Sequence, residues 1–335
     1  TTTATGTVAG TDADDQASIT YAGDATGTYG ALALTEATGA WVYTIDNNDA
    51  DTTALDKDDS VTDAFTITAT DSDQSSSNTD TMTVTITITG ANDAPTITAS
   101  DNTGAITEDA GTTTASDTLV FTDDDDADTT LAWSMSGATD NGATQTLAGT
   151  YGSLVVTEAS GAWTYTIDNA DSDTTGIDAG ETPTDAFTVT GTDTNGGSDT
   201  EVVTITITGV NDATSAGADQ TGAVTEDSGS DVTGTVAGTD DDAEAAITYG
   251  CSGCADVGAT QTKTGTYGGW TLTEATGAWV YDLDDTDTQT KELDEGDSVT
   301  EGALTVTGTE SDQSETDSMT ITIRSEEHTS ELQSR

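Results

Sequence analysis

The sequence predicts an all-β chain of tandem β-sandwich domains. Three observations carry that expectation. Apolar residues alternate with threonines at period two, which is the mark of half-buried strands with one face inward. No stretch of useful length carries the 3.6-residue period of a helix. A block, Thr-Glu-Ala-(Thr/Ser)-Gly-Ala-Trp, occurs three times, at 35–41, 157–163 and 273–279, each a few residues after Gly-Thr-Tyr-Gly at 27–30, 149–152 and 265–268. The copies stand about 120 residues apart, too long for a solenoid unit and right for a small domain.

Taken in order, Trp41, Tyr43 and Ile45 share one strand face, and Phe65, Ile67 and Ala69 share another. Met82, Val84, Ile86 and Ile88 alternate with threonine in TMTVTITITG. The second copy repeats this with Trp163, Tyr165 and Ile167, then with Val203, Ile205 and Ile207. β-Branched residues inward and threonine outward suit a pleated surface wet on one side. The three tryptophans lie on the apolar faces and are expected in the cores. The joints read ITITGANDAP at 86–95 and ITITGVNDAT at 205–214. Each is a last strand, a glycine turn and Asn-Asp, too short for a flexible linker. Repeat one is expected over 1–94, without its first strand; repeat two over 95–213; repeat three over 214–323. The tail RSEEHTSELQSR, 324–335, changes composition abruptly and resembles the translation of a sequencing adapter, so it is set aside from the fold. On that reading the chain is a fragment cut at both ends.

Charge narrows the function. Sixty-three acids face five Lys and Arg, for a formal charge of −58. Up to Ile323 the only cations are Lys57, Lys263 and Lys291, which cannot neutralise a phosphate backbone, so nucleic acid is excluded. Anionic membrane surfaces repel such a chain, and no run of 18 apolar residues could cross a bilayer. The single histidine, His328, lies in the tail, so a serine or cysteine nucleophile would lack its base. Paired carboxylates are inevitable among 63 acids and indicate no glycosidase cleft. No enzyme is expected. Cys251 and Cys254 are too few for a zinc site or a disulfide scaffold and are expected to close one small disulfide loop.

The acids gather at the joints. An acidic loop precedes each repeat's end, at 55–65, 177–187 and 293–303. The next strand ends in Asp71, Asp193 or Glu310, ITED or VTED follows each joint, and then comes a dense run at 123–128 or 240–244. Asp12, Asp14 and Asp15 are the equivalent run in the first repeat. Hard carboxylate and amide oxygens from both sides of a joint are the ligands Ca²⁺ takes, six to eight of them at about 2.3–2.6 Å. Acids packed this closely repel one another, and salt screening over roughly 8 Å cannot relieve contacts inside one cluster.

The Leu/Ile-Asp-x-x-(Asp/Glu) loop, the strand ending Ala/Gly-Thr-Asp, the alternating strand and the Asn-Asp-Ala-Pro joint resemble bacterial cadherin-like modules. The nearest resemblance is to VCBS-type repeats of large secreted RTX-type adhesins, over almost all of residues 1–323. That resemblance implies an extended rod of Ig-like, cadherin-like sandwiches with Ca²⁺ between them. It also implies a place on the bacterial surface or outside the cell, reached by type I secretion, and a part in adhesion and biofilm attachment. Carried over by position, the first joint would use Asp59, Asp71, Asn92, Asp93, Glu108, Asp123 and Asp125. The second would use Glu181, Asp193, Asn211, Asp212, Glu226, Asp240 and Asp242. Partners other than calcium would be cell-surface or matrix ligands met by domains outside residues 1–335. The alternative is a set of accessory spacer domains in a large extracellular enzyme whose catalytic part lies elsewhere.

Overall fold

A computed structural model describes residues 2–11, 18–71, 78–125, 129–226, 228–242, 246–293, 297–310 and the backbone of 316–326. The sequence readings at Asp12, Asp14, Asp15, Asp126, Asp128, Asp227, Glu244 and 327–335 lie outside the described residues. Among the described residues, apart from three four-residue helices, the regular structure is strand. Contacts divide the chain into two compact units. One is 1–104 with 114–166 and 186–205; the other is 105–113 with 167–185 and 206–335.

Strand pairing stays within three stretches of the described chain. In the first, Thr3–Thr7, Ala40–Ile45 and Gly30–Leu34 form one sheet, and Ile19–Gly23, Ser60–Asp71 and Thr79–Thr89 form the other. Val8, Leu32, Tyr43, Phe65, Ile67, Val84, Ile86 and Ile88 form its core. The alternation expected at 82–88 holds from Val84 onward, but Met82 is 47% exposed. The middle stretch has a five-stranded sheet ending on Ala162–Ile167 and Thr114–Thr118, and a four-stranded sheet around Thr184–Thr192 and Ser198–Thr208. In the third, Leu304–Glu310 pairs with Thr316–Glu326 in one sheet, and Gly268–Thr273 pairs with Ala278–Leu283 in the other. Strand Thr316–Glu326 passes the expected end of repeat three at Ile323, with Arg324 opposite Ala223.

The repeated block is explained by its turn. In each copy the glycine N–H bonds back to the threonine carbonyl four residues earlier, Gly39 to Thr35, Gly161 to Thr157 and Gly277 to Thr273. These glycines have φ of 66°, 69° and 65°, a conformation that other residues reach only at a cost. Trp163 and Trp279 are buried as expected, while Trp41 is half-buried.

The Gly-Thr-Tyr-Gly loop is held by a buried acid. Asp63 accepts the Thr28 and Tyr29 N–H groups at 2.8 and 3.1 Å and the Tyr43 hydroxyl at 2.8 Å. Glu301 repeats this with Thr266 at 3.0 Å, Tyr267 at 2.8 Å and Tyr281 at 3.0 Å. A Cβ at Gly27 or Gly265 would run into that carboxyl group, so the glycine is required by the close approach. The short helices Ala50–Thr53, Ser172–Thr175 and Thr288–Lys291 are each capped by an aspartate, Asp49, Asp171 and Asp287, whose carboxylate accepts an N–H two residues on. Scattered acids of this kind thus serve the local backbone. Cys251 and Cys254 are joined by a disulfide, as expected.

Candidate metal centre at the repeat joints

The Asn-Asp pair of each joint organises one acidic cluster. At the first, Asn92 Nδ2 donates to the Asp93 carbonyl at 2.6 Å and to Asp193 Oδ2 at 3.0 Å. Asp93 N–H donates to Asp125 Oδ2 at 2.9 Å, and Asp125 N–H donates to Asp123 Oδ1 at 3.2 Å. The second cluster is built the same way. Asn211 Nδ2 donates to the Asp212 carbonyl at 2.7 Å and to Glu310 Oε1 at 3.1 Å. Asp212 N–H reaches Asp242 Oδ2 at 3.0 Å, and Asp242 N–H reaches Asp240 Oδ1 at 3.0 Å. Thr214 Oγ1 holds the other Asp240 oxygen at 2.8 Å.

These bonds use one face of each side chain and leave the other facing inward. Asn92 Oδ1 and Asp125 Oδ1 are buried with no hydrogen-bond donor, and so are Asn211 Oδ1, Asp242 Oδ1 and Glu310 Oε2. Leaving a buried acceptor unsatisfied costs about 1–3 kcal/mol, more for a charged group, so an accumulation of them at one place needs a cause. Oxygens of Asp240, Asp242 and Glu310 all lie within 4.8 Å of one another. The donor set is carboxylate and amide oxygen alone, which suits a hard divalent cation and not zinc or copper.

Electrostatics point the same way. Glu108, 2% exposed, is pushed up to about 7 by burial and by the charges of Asp212, Asp109 and Asp242, although the Val210 N–H at 2.7 Å opposes this. Burial, with Asp109 and Asp242 nearby, raises Asp212 to about 6. Asp242 and Asp125 are raised as well, first by burial and then by neighbouring acids. Asp193 goes the other way. Burial opposes its charge, but the Asn92 amide and the N–H groups of Asn195, Gly197 and Gly196 outweigh it and hold its pKa below the usual carboxylate range.

The structure redistributes several residues between the joints. Glu108, assigned by sequence to the first, meets Val210, Asp212 and Asp242 and belongs to the second. Asp193, assigned to the second, binds Asn92 at the first. The reason is antiparallel geometry. Glu181 and Asp193 flank strand Thr184–Thr192, whose nine extended residues span roughly 30 Å, so an acid before a strand and one after it cannot serve the same joint. Asp71 closes strand Ser60–Asp71, the place in the first stretch that Asp193 has in the middle one. Glu226 follows strand Gln220–Thr225 as Glu108 follows Thr103–Thr107.

Asp59 and Glu181 contribute backbone. Their carbonyls accept Gly90 N–H and Gly209 N–H at 2.9 and 3.0 Å, while their side chains are exposed. In their loops it is Asp56 whose charge is felt by Asp125, and Asp178 whose charge is felt by Asp242. Asp56, Asp178 and Glu310, which sequence reasoning did not assign to a joint, stand in or beside these clusters, and hydrogen bonds bring Asn92, Asp93, Asp123 and Asp125 together in one and Asn211, Asp212, Asp240 and Asp242 in the other. The missed signal was the first Asp of the Leu/Ile-Asp loop, which stands beside the core residue Leu55 or Ile177 and so has a fixed direction.

Comparison with known proteins agrees with this fold. Residues 92–209, about a third of the chain, match the family model described as bacterial cadherin-like domain. No curated protein matches significantly. Among solved structures, the protocadherin gamma B2 extracellular cadherin domains 1–5 align with a TM-score of 0.53 at 14% identity, covering 93% of this chain and 54% of that one. Mouse cadherin-23 EC22–24 aligns with a TM-score of 0.47 at 14% identity, over 92% and 86%. The chain spans about half the length of the protocadherin, and a likeness at 14% identity is one of fold. From Asn92 to Gly209, joint to joint, the chain is similar to a bacterial cadherin-like domain.

Proposed function

We propose that this chain is a calcium-stiffened structural segment of a large bacterial surface or secreted adhesin, three repeats acting as a spacer in attachment and biofilm cohesion. The observation that carries the reading is the pair of joint clusters in which Asn92 with Asp125, and Asn211 with Asp242 and Glu310, aim donor-free buried oxygens inward. At the second joint Asp178, Asp240, Asp242, Glu310 and Asn211 would hold the ion, with Glu108 and Asp212 adding charge. At the first the set would be Asp56, Asp123, Asp125, Asp193 and Asn92. Bound Ca²⁺ supplies positive charge and strong coordination where the protein offers only acceptors. The chain's own part is orientation. Each asparagine spends its amide N–H on a carboxylate and so turns its oxygen toward the site, while the Asp93 and Asp212 N–H groups fix the facing carboxylates.

Support for an extracellular setting comes from the Cys251–Cys254 disulfide. Among the described residues no helix is long and apolar enough to cross a membrane. Calorimetric titration of the chain with Ca²⁺ tests the reading: saturable heat with an affinity of about 10⁻⁴–10⁻³ M is expected, and no heat at 10 mM would end it.

A further inference from the structure

The second and third stretches carry a hairpin strand that the first lacks. From Trp133 to Gly152 and from Tyr249 to Gly268 the chain runs nineteen positions, but from Tyr21 to Gly30 it runs nine. In the longer stretches the extra residues form strands Thr144–Ala148 and Thr260–Thr264, which cover the outer edges of Gly152–Thr157 and Gly268–Thr273. One glutamine locks each in place. Gln145 Oε1 accepts the Met135 N–H at 2.7 Å while its Nε2 donates to Glu158 Oε1 at 3.0 Å. Gln261 does the same with Cys251 at 2.7 Å and Glu274 at 2.9 Å. The Glu158 and Glu274 N–H groups donate to the Ala143 and Ala259 carbonyls at 3.1 and 3.2 Å.

The first stretch keeps the receptor for that segment without the segment. Tyr21 N–H donates to the Glu36 carbonyl at 2.9 Å, as Trp133 does to Glu158 and Tyr249 to Glu274 at the same distance. Tyr21 pairs with Ala69, as Trp133 pairs with Gly191 and Tyr249 with Gly308. Gly23 and Glu36 are therefore the counterparts of Met135 and Glu158. Strand Gly30–Leu34 is the edge of its sheet, bridged on its outer side, among the described residues, where Thr26 meets Ala31. Leu32 N–H turns outward to the Ala25 carbonyl at 2.8 Å, and by alternation Leu34 and Glu36 turn the same way. No described residue bonds the Gly23 N–H, the Glu36 N–H or the exposed Glu36 carboxylate.

We infer that this edge is a docking site for an extended strand of a separate protein partner with the chemistry Ala-Thr-Gln-Thr. The partner's alanine carbonyl meets the Glu36 N–H, and its glutamine amide joins the Gly23 N–H to the Glu36 carboxylate. Glutamine is specified because the site asks for one acceptor and one donor on the same side chain. Lysine supplies no acceptor and glutamate no donor. A second copy is the poorer occupant: its Gln145 and Gln261 are committed to their own stretches, and two chains of charge −58 repel. Backbone pairing at an open edge gives such a strand affinity, and the glutamine gives selection.

The test titrates the full chain, labelled with ¹⁵N, with a capped peptide of residues 142–149, Gly-Ala-Thr-Gln-Thr-Leu-Ala-Gly. Saturable amide shifts are expected at Gly23, Leu34 and Glu36. Changing the peptide's glutamine to glutamate or lysine should weaken binding at least tenfold, and so should Glu36→Ala in the chain. Glu36 is exposed, so that variant keeps its fold, which the rest of its spectrum checks. No saturable shift at millimolar peptide, or equal binding of the glutamate peptide, would overturn the inference. Shifts at Met135 and Cys251 in place of Gly23 would do so too, since they would mean exchange with the chain's own hairpins. Shifts at Gly23 on concentrating the chain alone would put a second copy on the edge and overturn the assignment to a separate partner.

Discussion

Asn211 donates its amide N–H to Glu310 Oε1 at 3.1 Å across 99 positions of sequence, and Asn92 does the same to Asp193 Oδ2 at 3.0 Å across 101. In both cases the contact joins a joint residue to an acid at the end of a strand in the stretch that follows. It also decides which amide atom is left over. With Nδ2 committed, Oδ1 is buried and without a donor, beside carboxylate oxygens in the same condition. Such an arrangement is costly without a cation.

Removal of divalent metal should therefore loosen the chain. For sites with affinities of about 0.1–1 mM, 10 mM Ca²⁺ contributes roughly 1.4–2.7 kcal/mol per site through linkage. Chelator should lower the calorimetric melting midpoint by several degrees and broaden small-angle scattering profiles. Identical melting curves with and without chelator would count against a joint site.

Glu310→Gln separates a metal role from a structural one. The amide keeps the acceptor that Asn211 uses but removes the charge and alters the inward oxygen. In chelator the variant should melt at or above the parent's midpoint, since a buried, self-repelling charge is gone. On adding Ca²⁺ the gain assigned to the second joint, about 1–3 kcal/mol, should be missing. A variant that is equally destabilised in both conditions would mark Glu310 as scaffold only.

The exchange of residues between joints is directly testable. Glu108→Gln should weaken calcium binding at the second joint, and Asp193→Asn at the first. Asp71→Asn should leave both intact. Titration calorimetry of the three variants resolves this, and loss of the first site in Glu108→Gln would restore the assignment made from sequence.

Much of this was legible without coordinates because alternation is a local property. Val84, Ile86 and Ile88, or Val203, Ile205 and Ile207, face inward for the same reason that their threonine neighbours face out. The joint residues Asn92, Asp93, Asn211 and Asp212 were legible too, since Asn-Asp sits between strands with nothing apolar to bury. What the pattern could not convey was the end of the sandwich at which an acid emerges. Each strand crossing reverses it, and Glu108 and Asp193 each follow one. Nor did the sequence separate acids that hold backbone, such as Asp49 and Asp63, from those aimed into a cluster. In composition they are the same residue.

The buried acid beneath the Gly-Thr-Tyr-Gly loop makes a separate prediction about stability. Glu301→Ala would leave the Thr266 and Tyr267 N–H groups and the Tyr281 hydroxyl without their acceptor. Stranded buried donors cost about 1–3 kcal/mol each, with some relaxation, so a loss of on the order of 3 kcal/mol is expected in the third stretch. Urea unfolding followed by tryptophan fluorescence reports it, because Trp270 and Trp279 lie in that core. A change below about 0.5 kcal/mol, that of an ordinary surface substitution, would show that the loop holds itself.

Acid and joint respond to pH with opposite signs. Burial works against the charge of Glu301, yet the N–H groups of Thr266, Tyr267 and Gly302 and the Tyr281 hydroxyl outweigh it and lower its pKa on folding. Its contribution is therefore present above the unfolded value of 4.5 and is lost as pH falls through the lower, folded one. Glu108 is raised from 4.5 to about 7, so the folded state takes up its proton first. Stability from that group is complete below pH 4.5 and disappears as pH rises through 7. In chelator, moving from pH 8 to pH 5.5 should stabilise the second joint by on the order of 2 kcal/mol while leaving the Glu301 clamp intact. Saturating Ca²⁺ should reverse the dependence, because protons and metal then compete for the same carboxylates. Melting curves at both pH values, with and without metal, give the four midpoints needed. A midpoint in chelator that falls on going to pH 5.5 would mean the joint acids carry no mutual strain.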